Sequence, residues 1–126
     1  MFEINRAVLI VKPKQPFLEW TIAVDPTCVK FTLENLRKDC HSYLVPQIWF
    51  EPDKDKLLEE FYAPVFEDQL MGWHTVPEDW PKDRNLKMFR EWFDVEFHGM
   101  VFDLLDEPIE DVDDEDEEKD ETPENN

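Results

Sequence analysis

Residues 85–105, NLKMFREWFDVEFHGMVFDLL, constrain the fold of this chain more than any other stretch. In the first half Leu86, Phe89, Arg90 and Phe93 recur three and four residues apart. Met88 and Trp92 form a second row beside them, the spacing of one helix face. In the second half the period drops to two: Val95, Phe97 and Val101 fall on one face, Glu96 and His98 on the other. From Met100 to Phe102 both faces turn apolar, as in a strand entering a covered interior. The pattern predicts a helix that feeds an aromatic strand almost without a loop, with Phe97 buried at the middle of that strand's inner face.

The rest of the chain supplies layers to pack against this unit. Residues 6–12, RAVLIVK, are apolar on both faces and predict a central strand whose two faces are both covered; Pro13 and Pro16 then end it. Residues 17–24 carry Phe17, Trp20 and Val24 on one helical face, and Asp25-Pro26-Thr27 breaks that helix. Thr32 is placed to cap a second short helix. A strand is expected over about residues 40–49, with Pro46 marking it as an edge strand or a bulge. The longest helical signal covers 53–71. Pro64 falls on its outer side, compatible with one kinked helix or two, and Gly72 is the natural stop. Residues 72–84, GWHTVPEDWPKDR, form the one long irregular segment.

Three strands and about four helices read as an α+β domain over residues 1–105, with a small, mainly antiparallel sheet packed by helices. Pairing the third strand beside the first would bury the most apolar surface, although the sequence leaves strand order open. Residues 106–126 are of another kind. They hold 13 acids and one lysine, so the tail carries −12 of the formal net charge of −19. All 17 aromatic residues lie before it. With almost no apolar side chain after Ile109 and Val112, this segment reads as a disordered acidic tail.

The segments IVKPKQPFLEW, GWHTVPEDWP and EWFDVEFHGMVFDL together resemble those of small acidic bacterial proteins of unassigned function. The resemblance covers residues 1–105 and implies a bacterial cytoplasmic protein. It brings no activity, cofactor or catalytic residue with it.

Composition narrows the function classes. The acidity argues against direct binding of nucleic acid or anionic membranes, because phosphate recognition is driven by Lys and Arg. No apolar run approaches the ~20 residues that span a bilayer, and no signal-peptide pattern opens the chain, which predicts a cytoplasmic location. Cys28 and Cys40 are too few for a disulfide scaffold and too far apart for a CxxC knuckle. With His41, His74 and His98 they match no metal-ligand spacing, so neither a metal nor a cofactor is expected. Ser42 is the only serine, neither cysteine sits by a glycine-rich elbow, and the many carboxylates single out no pair. The sequence therefore points away from an enzyme.

What remains is recognition of another protein. Trp73, His74 and Trp80 on the irregular segment, together with Trp49, are the candidate partner-binding residues, since large aromatics anchor interfaces. The competing reading is that both loop tryptophans fold back as plugs over one end of the sheet. The expected function is a non-enzymatic adaptor or inhibitor-like protein for a basic partner, and the central strand allows a homodimer. The alternative is a small-molecule-binding protein or enzyme subunit with a cleft near Trp73 and Trp80.

Overall fold

A computed structural model describes residues 1–112. Expectations for the acidic tail beyond Val112 lie outside the described residues. The described residues fold as an α+β unit with four α-helices and five strands in two antiparallel sheets.

The larger sheet has the order β3-β2-β4. Its central strand, β2 (Ala7–Pro13), pairs on one side with β3 (Ser42–Val45) and on the other with β4 (Phe93–His98). The register Leu9↔Tyr43 and Leu9↔Phe97 puts Ala7, Leu9, Val11, Tyr43, Val45, Phe93, Val95 and Phe97 on one face. β2 alternates along its length: Ala7, Leu9, Val11 and Pro13 are buried, whereas Val8, Ile10 and Lys12 are half-exposed. The expectation that both faces of this strand are covered is therefore corrected. The second face also carries Asp94, Glu96 and His98 opposite Lys12, Ile10 and Val8, and it stays open to water. There the Lys12 ammonium lies 2.6 Å from Glu96, a pair that a covering layer would have to desolvate.

Four helices cover the inner face. Pro13 is the last residue of β2, and Pro16 lies in the first turn of α1 (Gln15–Val24), where its missing N–H costs nothing. Helix α2 (Leu33–Leu36) begins with a capping box: the Asn35 N–H donates to Thr32 Oγ1 at 3.1 Å and the Thr32 N–H to Asn35 Oδ1 at 3.1 Å. Helix α3 (Glu51–Met71) is continuous through Pro64. Pro64 and Glu60 are both exposed, so the Glu60 carbonyl that loses its partner is open to water.

Helix α4 (Leu86–Trp92) passes into β4 with no intervening residue, as its sequence predicts. Asn85 Oδ1 caps it by accepting from the Met88 N–H at 2.8 Å. The Lys14 N–H donates to the Trp92 carbonyl at 2.8 Å, which locks this junction to the far end of β2. Around it Phe17, Phe66, Phe89, Trp92 and Phe93 form a cluster of rings with centroids 5.0–6.2 Å apart.

Two further expectations are corrected. Strand β3 stops at Val45, because Pro46 cannot donate to the ladder and the chain leaves the sheet there. The last strand does not run to residue 104. β4 stops at His98, opposite Val8, where β2 is about to end. The chain then turns, and β5 (Phe102–Asp103) pairs with β1 (Phe2–Glu3) in a separate two-stranded sheet. Met100, Phe102 and Leu104 are consequently exposed, and Phe97, expected to be buried, is half-buried. Helix cover is complete at Phe93 and thins along β4 towards His98.

Candidate functional site

Three surfaces carry the residues with chemical or recognition potential. The first is the irregular segment after α3. A short 3-10 turn, Pro77–Asp79, folds it back. Trp80 is only 8% exposed, its Nε1–H donates to the His74 carbonyl at 2.7 Å, and Arg84 stacks over its ring. His74 Nε2 lies 2.7 Å from Asp79 Oδ2, and Trp20 Nε1–H donates to the Asp79 carbonyl at 3.2 Å. The loop is thus bonded to itself and to α1. Trp80 is buried as a plug, while His74 and Trp73 are half-buried, Trp73 edge-on to Phe31.

The second surface lies at the opposite end of the sheet. Trp49 is 67% exposed and Phe50 is equally open. A Cβ at Gly99 would come within van der Waals distance of the Ile48 carbonyl, so the two chain segments run side by side here. Trp49 and Met100, each one residue further on, therefore leave from the same corner. The Ile4 N–H donates to the Val101 carbonyl at 2.8 Å, which ties the β1–β5 ribbon to this corner. Phe2, Met100, Phe102, Leu104 and Leu105 are all exposed on it. Large apolar side chains gathered at one exposed place mark an interaction surface, whereas scattered ones need no explanation.

The third surface combines residues that no sequence pattern joined. His41 and Tyr43 stand two apart at the start of β3, and Asp68 and Gln69 come from the last turn of α3. The Tyr43 hydroxyl donates to Asp68 Oδ2 at 2.6 Å, and Gln69 Nε2 donates to the Tyr43 oxygen at 2.9 Å. His41 Nδ1 donates to the same carboxylate oxygen at 2.8 Å. Burial, followed by the bond to Asp68, pushes the Tyr43 phenol well above its ordinary pKa. Beside this network opens a cleft of about 210 Å³ lined by Leu36, Asp39, Cys40, His41, Gln69 and Trp73, among others. Trp80 is not part of it. The two-residue spacing of His41 and Tyr43 was visible in the sequence; Asp68 was one acid among many.

Neither thiol is activated. Burial raises the pKa of Cys28 and of Cys40, and the Cys40 thiol donates to the Arg37 carbonyl at 3.3 Å. Among the described residues no group of three or more His, Cys, Asp or Glu is arranged to hold a metal ion, and no helix is long and apolar enough to cross a membrane. Comparison of the chain with protein-family models, curated proteins and solved structures gives no match.

Proposed function

We propose that this chain is a protein-binding adaptor or inhibitor-like module that engages its partner through the corner formed by Trp49, Phe50, Met100 and Phe102. The gathering of these exposed apolar side chains at one end of the sheet carries the reading. Trp49 supplies the rigid aromatic anchor that interfaces favour. The acidic segment begins directly after Leu105, beside the same corner, so a partner seated there meets apolar anchors and a field of negative charge together. A basic surface with an apolar centre is the complement, and electrostatic steering would speed the encounter. We further place the protein in a reducing cytoplasm, in keeping with two unpaired cysteines.

Site-specific photo-cross-linking in the native cell tests this. A photoreactive residue at position 49 is expected to give a discrete adduct that weakens in Met100→Ser and as salt rises. The same residue at exposed Val29 is the control. Identical adducts from the two positions, or none from position 49, would overturn the proposal.

A further inference from the structure

The cleft at the other end of the sheet has a polarity that its hydrogen bonds dictate. The Tyr43 O–H is committed to Asp68, so its oxygen meets Gln69 as an acceptor and Gln69 must present its NH2 group. That fixes the amide orientation and leaves Gln69 Oε1 as the free end. This side chain is only 6% exposed, and its Oε1 accepts no hydrogen bond from any described residue. A buried amide oxygen without a partner is costly and calls for a donor. His41 is fixed in the same way: a carboxylate only accepts, so Nδ1 carries the proton towards Asp68, and in the neutral ring Nε2 is an acceptor.

The other polar groups of the lining agree. The Asp39 carboxylate has no ion-pair partner among the described residues. Two nearby cations are already engaged: Arg37 donates to the Pro13 carbonyl at 2.8 Å and pairs with Asp94 at 3.1 Å, and Lys12 pairs with Glu96. The Cys40 thiol is bonded to the Arg37 carbonyl. The half-buried Trp73 ring forms part of the wall, a surface that attracts cations. Side-chain acceptors thus outnumber free donors in a cleft on a protein whose formal charge is −19.

We propose that this cleft binds a small organic cation bearing N–H donors, an alkylammonium or guanidinium group. One N–H is donated to Gln69 Oε1 and another to His41 Nε2, with Asp39 as counter-charge and Trp73 as the aromatic wall. The group is either a free amine or the end of a Lys or Arg side chain; the chemistry recognised is the same. This site is separate from the Trp49 corner and stands whether or not the corner binds a protein.

Titration of the full chain, followed by ¹⁵N NMR, tests the idea with four probes: methylguanidinium, n-butylammonium, an acetyl-Gly-Arg-Gly amide peptide and tetramethylammonium, which has no N–H. The first three are expected to shift the Gln69 side-chain amide, the Trp73 indole and the Cys40–His41 backbone saturably. Tetramethylammonium is expected to leave them unsaturated. Tighter binding of the peptide than of methylguanidinium would assign the cation to a partner's side chain, and the reverse to a free amine. Gln69→Met is expected to weaken binding about tenfold or more, the value of a hydrogen bond to a charged group. Asp39→Asn, at an exposed position that leaves folding intact, is expected to weaken it several-fold. Equal response to tetramethylammonium, or shifts spread over the acidic surface and abolished by sodium chloride, would reduce the effect to charge screening and overturn the proposal.

Discussion

Replacing Phe66 and Phe97 by alanine, one at a time, tests the layout of the core directly. Both are phenylalanines, yet the structure assigns them different environments. Phe66 is fully buried on α3, with ring centroids 5.7 Å from Phe89, 5.7 Å from Trp92 and 5.5 Å from Phe93, the last nearly perpendicular. Truncating a buried Phe costs about 3–5 kcal/mol, because the transfer term is lost and the surroundings collapse only partly. Each well-oriented ring pair adds about 0.5–1.5 kcal/mol beyond area, so Phe66→Ala belongs at the upper end of that range. Phe97 is half-buried on the thinly covered part of β4, with Lys54 over its ring. About half of a full transfer term of ~1.5–3 kcal/mol is at stake there, and water fills the gap, so Phe97→Ala should cost about 1 kcal/mol. Urea unfolding monitored by tryptophan fluorescence and circular dichroism gives both values from shifts in midpoint at unchanged slope. A stability of ~5–15 kcal/mol leaves Phe66→Ala marginal, so Phe66→Leu is measured alongside and should lose much less. Equal costs at positions 66 and 97, or a loss at 66 below about 2 kcal/mol, would refute this assignment of the core.

Two further outcomes follow from the same physical chemistry. Tyr43→Phe removes the donor to Asp68 and strands the buried Gln69 amide, so it should cost about 1–3 kcal/mol at neutral pH. The folded-state pKa of Tyr43 is raised above its ordinary value of 10.0, so this contribution is complete below that pH and lost as pH rises further; urea midpoints of parent and variant should converge at strongly alkaline pH, and a constant gap would show that the phenol is not held neutral. Deleting residues 107–126 should leave the melting temperature unchanged or slightly higher, because it removes self-repelling charge; a fall of several degrees would mean that this segment supports the domain.

The parts of the fold that were legible in the sequence are those in which one local rule acts alone. The switch from helical to strand period between Trp92 and Val95 marks the α4–β4 junction, and the turn signals around Asp25 and Thr32 mark real boundaries. What was not legible depends on where neighbouring strands end. The alternation from Val95 to Val101 reads as one strand, but a strand needs a partner at every rung. On the β4 side the ladder ends at Val8, one residue short of the end of β2, so the chain breaks at Gly99 and pairs with the amino-terminal segment instead. Apolar period alone could not distinguish a covered Phe102 from an exposed one. The candidate cleft was hidden for a different reason: its defining contact, Tyr43 to Asp68, joins residues 25 apart in a chain with 32 acids, where no single carboxylate stands out.

The short central strand also explains why the two candidate surfaces lie at opposite ends of the molecule. β2 carries seven residues. At its Pro13 end the α4–β4 junction is locked by Lys14, the ring cluster fills the interior, and the returning loop with Trp80 closes the helices over it. Side chains there are held by several partners, a setting in which fixed acceptors such as Gln69 Oε1 can be oriented in advance and select a small ligand by geometry. At its Ala7 end the rungs themselves are buried, but the chain on both flanks runs on past the ladder, and there the apolar side chains of the corner lie exposed. Such a surface offers apolar area rather than a pocket, which suits a macromolecular partner better than a small one. One sheet therefore gives a rigid, polar end and an open, apolar end, and binding at one should leave the other intact. Saturating methylguanidinium should accordingly not change the yield of the adduct from position 49, and a change would show that the two ends are energetically coupled.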